Sequence, residues 1–213
     1  MSWYEHEQVK KEQQWGIHEV NDDMRMERPI NEHDYIKAAN YLTARNLNPV
    51  LAFENEWEPV FRRGLRILIP AITMIPNHRY WQARSLTGEE PRYESPHGPR
   101  RDALVVVSKR NHPLSMACVV EGPMDALAMA DIEGCMGIAL MGIKPPKEAL
   151  NHLAALLVAY PVVYCICDTD QIHGMMQVQN FLATRGIYSE IKIPPGGKDV
   201  AEMTTEERQA IVK

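Results

Sequence analysis

Two short apolar runs, each ending abruptly in carboxylates, constrain the fold of this chain more than any other feature. The first is Ala117-Cys-Val-Val-Glu-Gly-Pro-Met-Asp-Ala126, and the second is Val162-Val-Tyr-Cys-Ile-Cys-Asp-Thr-Asp170. β-Branched runs bounded by Gly or Pro and followed by helix-length segments predict buried parallel strands. A carboxylate just past the last apolar residue then sits at the carboxyl end of its strand, the edge where open α/β sheets bind ligands. Glu121 is expected at one such end, with Asp125 one helical turn further on. Asp168 and Asp170, spaced i and i+2, are expected to point the same way from another. Four acids converging on one small region repel each other unless a cation lies between them. Hard divalent ions with oxygen ligands suit that arrangement, Mg²⁺ above all, with Mn²⁺ as a substitute. The expected chemistry is metal-dependent phosphoryl transfer.

The same alternation runs through the second half of the chain. Strands are expected near 116–120, 135–140, 162–167 and 187–193, and helices near 123–132, 146–158, 173–185 and 204–212. Strands alternating with helices imply crossover connections and a parallel sheet, an α/β fold. The first half reads differently. Asn31 can cap a helix whose third position is Asp34 and whose apolar stripe is Tyr35, Ile36, Ala39, Tyr41 and Leu42, with Asn46 through Pro49 as its end. From Leu65 to Tyr93 the pattern is that of strands, with a turn at Asn77-His78 and punctuation at Gly88 and Pro91. The loop His97-Gly-Pro-Arg-Arg-Asp102 is the expected boundary. The layout is therefore an N-terminal arm or helix over 1–30 (with spaced Trp3, Tyr4 and Trp15), a small mixed α+β basic subdomain over 31–102, and an α/β domain over 103–213.

Charge supports a polyanionic partner once it is divided along the chain. Residues 61–110 hold ten Lys/Arg against four Asp/Glu, whereas residues 1–60 hold six against twelve and residues 111–213 seven against twelve. A basic middle between acidic ends is an asymmetry that favours a polyanion. The four cysteines (Cys118, Cys135, Cys165, Cys167) fall in or beside expected strands, without zinc spacing, so reduced core thiols and no zinc are expected. No apolar run approaches the ~20 residues that cross a bilayer, and Met1-Ser-Trp-Tyr-Glu lacks the basic start of a signal peptide. A cytoplasmic location and no membrane association are expected.

Three linked motifs carry a resemblance. Glu121-Gly-x-x-Asp125-Ala, Asp168-x-Asp170 and Gly197-Lys-Asp199, in that order and spacing over about 104–202, resemble the Toprim domain of bacterial primases, topoisomerases and some nucleases. The chain departs from that pattern at two points: Gly174 falls one residue late after the Asp pair, and Ala201 stands where a further acid is often found, leaving Glu202 as a substitute. The Lys198-Asp199 pair is not a Walker A ending, which needs Lys followed by Ser or Thr. Upstream, Tyr41-Leu-Thr-Ala-Arg-Asn-Leu47, Arg66-Ile-Leu-Ile-Pro70, Gln82-Ala-Arg84 and Pro91-Arg-Tyr-Glu-Ser-Pro96 resemble the polymerase block that precedes the Toprim domain in bacterial-type primases. Nucleases and topoisomerases lack this block.

The resemblance implies a Toprim domain, Rossmann-like with a parallel sheet flanked by helices, behind a small basic subdomain. It implies Mg²⁺-dependent, template-directed primer synthesis from nucleoside triphosphates on single-stranded DNA. Glu121, Asp168 and Asp170 would be catalytic and would hold metal with Asp125 and Asp199; Glu121 is also a candidate general acid/base. Arg66, Arg84, Arg92, Arg100, Arg101 and Lys198 would contact template or nucleotide. Tyr80, Trp81 and Tyr93 lie among them and suit base stacking, although core or hairpin packing accounts for them as well. With no Cys/His cluster for a template-reading zinc ribbon and one short helical segment after Asp199, a helicase or zinc-module protein in trans is the expected partner. Two alternatives stay open: a Toprim nuclease using the same acids for hydrolysis, and a non-catalytic nucleic-acid-binding accessory protein with a relic site.

Overall fold

The structure is a computed structural model, and it describes residues 26–142 and 144–213. The arm carrying Trp3, Tyr4 and Trp15 lies outside the described residues. Helix α1 (Glu32–Thr43) begins at a reciprocal capping box in which Asn31 accepts from the Asp34 N–H and Asp34 accepts from the Asn31 N–H. Arg28 grips the same Asp34 carboxylate with two 2.7 Å hydrogen bonds and pulls its pKa down to about 2. Helix α2 (Pro49–Glu54) is an element that the sequence reading missed. Pro49, read as the end of the preceding helix, is instead the first residue of the next one, capped by the Asn48 side chain.

Strands β1 (Glu58–Phe61), β2 (Leu65–Ala71), β3 (Tyr80–Ser85) and β4 (Tyr93–Glu94) form an antiparallel sheet in chain order. Cross-strand register pairs Ile67 with Arg84 and Ile69 with Gln82. Those four residues therefore share one face of the sheet, and Arg66 and Leu68 point to the other.

The second sheet comprises β5 (Val105–Ser108), β6 (Met116–Val120), β7 (Cys135–Ala139), β8 (Val162–Ile166) and β9 (Glu190–Lys192), in the order β5-β7-β6-β8-β9. The four expected strands are parallel, as their helical crossovers require. β5 was not anticipated: it is an antiparallel edge strand on β7, and no helix follows it to betray it by alternation. Reciprocal backbone hydrogen bonds between Ile72 and Leu104 join the two sheets. The loop ending at Asp102 is tied to the first sheet, because Asp102 accepts from the N–H groups of Met74 and Ile75 and lies 2.9 Å from His78 Nδ1.

Alternation along β6 divides the core. Cys118 and Val120 pack with Leu42, Trp57, Ile67, Ile69 and helices α3 (Pro123–Ala130) and α6 (Thr205–Ile211). Ala117 and Val119 pack on the other face with α4 (Lys147–Leu157) and α5 (Ile172–Ala183). Cys165 and Cys167 face one side and Ile166 the other, and all four cysteines are buried free thiols. No helix among the described residues is long and apolar enough to cross a membrane.

Gly137 on β7 sets how closely α3 approaches the sheet: a Cβ there would lie 1.9 Å from the Ala126 carbonyl oxygen. Backbone cannot yield as a flexible side chain does. Gly137→Ala should therefore destabilise the protein by about 3 kcal/mol or more, read as a lower urea midpoint with unchanged m-value. The same displacement would move Asp125 on α3.

Candidate active site

The site lies where both sheets meet, at the carboxyl ends of β6 and β8. A cleft of about 400 Å³ has Arg45, Arg84, Arg92, Gln82 and Tyr93 on its basic side and Glu121, Asp125, Asp168 and Asp199 on its acidic side. Glu121 follows the last residue of β6 directly. Burial raises its pKa, and the charges of Asp168 and Asp170 raise it further. Asp168 is raised in turn by burial, then by Asp199 and Asp170. These carboxylates face common space and repel one another.

The Asp pair is not placed as the strand alternation implied. β8 stops at Ile166, and Asp168 precedes a 3₁₀ turn (Thr169–Gln171) that contains Asp170. Strand parity thus has no bearing on their directions. Asp168 lines the cleft and Asp170 stands beside it, both exposed, with Gln171 Nε2 donating to Asp170 Oδ2 at 3.0 Å.

Asp125 occupies the first turn of α3 and folds back over Gly122, where a Cβ would come to 2.9 Å from its Oδ2. Asp199 precedes a 3₁₀ turn (Val200–Glu202). One N–H, that of Ala201, donates to both carboxylates, at 3.2 Å to Asp125 Oδ1 and 3.0 Å to Asp199 Oδ1. Burial and the neighbouring Asp199 push Asp125 well above the usual carboxylate range. Burial also pushes Asp199 upward, but the hydrogen bond from Asp125, the Ala201 N–H and the charges of Arg45 and Arg92 outweigh it, leaving Asp199 below its ordinary value.

The basic residues separate into different roles. Arg84 is 4 % exposed, donating from Nε to Tyr41 Oη (2.6 Å) and from Nη1 to Tyr93 Oη (2.8 Å). Phenols hold it without neutralising it. Arg92 is exposed on the cleft wall. Arg66 does not fit the nucleic-acid contact expected of it: it is 0 % exposed and its guanidinium serves the carbonyls of Arg62 and Pro91. Arg100 is likewise a strut, donating to the carbonyls of Met141 and Lys144. That loop has Met141 and Gly142 at positive φ and lines the cleft. Arg101 is exposed in a left-handed turn, and Lys198 is paired with Glu207 at 2.6 Å; neither lines the cleft. Trp81 packs with Val60, Leu68 and Ala83.

Arg45 is the cleft residue that the reading of single residues missed. Its Nη2 lies 3.9 Å from Asp199 Oδ2 and 3.6 Å from Glu202 Oε1. The available signal was its place in the Tyr41–Leu47 segment. Gln82 was legible from its i, i+2 spacing to Arg84, which puts both on one strand face. As for metal, no three His, Cys, Asp or Glu side chains among the described residues form a ready-made nest. The donor chemistry does fit a hard divalent ion: oxygen-only ligands, mutually repelling at Glu121 and Asp168.

With this geometry, the chain superimposes on known structures. A DnaG primase catalytic domain bound to ssDNA matches with a TM-score of 0.60 at 17% identity, covering 86% of this chain and 71% of that one. The E. coli primase catalytic core matches with a TM-score of 0.62 at 16% identity, covering 84% and 73%. The fold is that of the primase catalytic core. A DNA primase domain from Pseudomonas aeruginosa matches as well, with a TM-score of 0.57 at 17% identity, covering 78% of this chain and 66% of that one. No protein-family model and no curated protein matches the chain. The Toprim-like arrangement of the second sheet, with the mixed basic layer ahead of it, agrees with the fold expected from the sequence motifs.

Proposed function

We propose that this chain is a primase-type nucleotidyltransferase core, joining nucleoside triphosphates on a single-stranded DNA template in a Mg²⁺-dependent reaction. One observation carries the reading. A single cleft opposes arginines held by phenols or by solvent to carboxylates that repel each other, which suits a phosphate chain on one wall and a divalent cation on the other. Glu121, Asp168 and Asp170 hold the metal. When bound, it would stabilise the attacking and departing oxygens of an in-line displacement at the α-phosphate. Arg84 and Arg92 orient the triphosphate and the template strand, and Arg84 does so with a guanidinium that Tyr41 and Tyr93 fix in place. Glu121, at the end of β6 beside the cleft, takes the proton of the attacking 3′-hydroxyl.

The deciding assay combines the purified chain with single-stranded DNA, labelled nucleotides and Mg²⁺. Short oligomers are expected. Cutting of DNA or RNA without nucleotide incorporation would transfer the site to the nuclease alternative. Binding should also report its phosphate contacts through salt. Each contact to a single strand contributes about −0.7 to the slope of log K against log salt. Arg84 and Arg92 together should give a slope of about −1.4 or steeper, by anisotropy of labelled DNA. Arg92→Ala should flatten it by about 0.7; an unchanged slope would remove Arg92 from the interface.

A further inference from the structure

The acids of the cleft divide into two groups that differ in what already occupies their oxygens. Glu121 and Asp168 stand at the ends of β6 and β8 with no hydrogen-bond donor against them among the described residues, and Asp170 accepts only from its exposed neighbour Gln171. Asp125 and Asp199 have instead been taken up by the protein. Asp199 Oδ1 and Asp125 Oδ1 both accept from the Ala201 N–H. The remaining Asp199 oxygen, Oδ2, faces Arg45 Nη2, which reaches Glu202 as well. Ala201 is 0 % exposed and brings an N–H to this place without any side-chain oxygen. A hard cation entering here would have to displace a guanidinium and strip backbone donors from both acids.

Arg45 is held to this position from behind. The Arg208 side chain on α6, 0 % exposed, donates from Nη2 to the Asn46 carbonyl (2.9 Å) and to the Ala201 carbonyl (3.2 Å), and from Nε to the Val200 carbonyl (3.0 Å). It bolts the residue after Arg45 to the turn after Asp199. Asn46 Nδ2 adds a bond to the Glu202 carbonyl. The fold thus fixes the backbone beside Arg45 against the turn after Asp199, while the Asp199 side chain itself stays 42 % exposed.

We infer that the Asp125–Asp199 end of the cleft is closed to cations, that Arg45 supplies its positive charge, and that the chain holds one divalent ion, at Glu121, Asp168 and Asp170. The inference rests on the metal reading above, and it reassigns Asp125 and Asp199 from ligands to the seat of a built-in guanidinium. Mn²⁺ alone is the probe, its bound equivalents counted by electron paramagnetic resonance on the full chain, with circular dichroism confirming the fold. Wild type should bind one ion, Asp168→Asn none and Asp199→Asn still one. Arg45→Met, which keeps the stem and removes the charge, should raise the count to two. Two ions on wild type, or loss of the ion in Asp199→Asn, would overturn the inference and leave the metal reading standing. No ion on wild type would overturn both. A count of one in Arg45→Met would remove Arg45 as the counter-charge.

Discussion

Asp168→Asn should lower nucleotide incorporation by about 10³-fold or more while leaving the protein at least as stable as wild type at neutral pH without metal. The two halves of this expectation have one cause. Asp168 sits among carboxylates, and its pKa is raised by burial and by Asp199 and Asp170. A carboxyl group raised on folding binds its proton more tightly in the folded state, so ionised Asp168 opposes folding once pH exceeds its folded pKa. An amide of the same shape relieves that repulsion. What it cannot do is hold a divalent ion. Mg²⁺ should raise the wild-type melting temperature, because it binds the folded chain alone, and should leave that of Asp168→Asn unmoved. A buried aspartate serving only the fold would behave in the opposite way, losing stability on substitution and showing no Mg²⁺ difference. Wild-type turnover in the variant would refute the site.

The acidic wall was legible because its position follows from chain connectivity. A β-branched run that stops at Glu121, and another that stops before Asp168, places each acid at a sheet edge whatever the packing around it. The basic wall was less so, because an arginine's role depends on register and on its partners. In Leu65-Arg-Ile-Leu-Ile69 both faces of the strand are apolar, so alternation alone does not say which face meets the second sheet. Arg66 and Arg84 carry the same charge on neighbouring strands, yet the pairing of Ile67 with Arg84 sends them to opposite faces. Strand parity does not govern the Asp pair for a related reason, since the strand ends at Ile166, before either residue. β5 lacked a following helix, and α2 was hidden by a proline whose missing N–H serves a helix start as well as a helix stop.

The two arginines offer the sharpest separation of fold from function. Arg66→Met should cost about 3 kcal/mol of stability, seen as a lower urea midpoint. It leaves the carbonyls of Arg62 and Pro91, now served at 2.8 and 2.9 Å, without their donor in an enclosed place. It also withdraws one of the three guanidiniums around Glu94, whose remaining partners Arg62 and Arg63 prevent a wholly uncompensated charge. Activity per folded molecule should survive, because no atom of Arg66 reaches the cleft. Arg84→Met should do the reverse. Tyr41 and Tyr93 lose a donor, but their hydroxyls border a cleft that admits water, so the stability cost should stay near 1 kcal/mol. The cleft loses a guanidinium held by phenols and not neutralised by a carboxylate, and with it a charge-assisted contact of about 1.5–3 kcal/mol, or roughly 10- to 100-fold in nucleotide or template affinity. The comparison is made on both variants by urea denaturation and by anisotropy at one salt concentration. If Arg66→Met instead weakens binding at full stability, or Arg84→Met unfolds the chain without altering affinity, the division of these residues into strut and ligand contact is wrong.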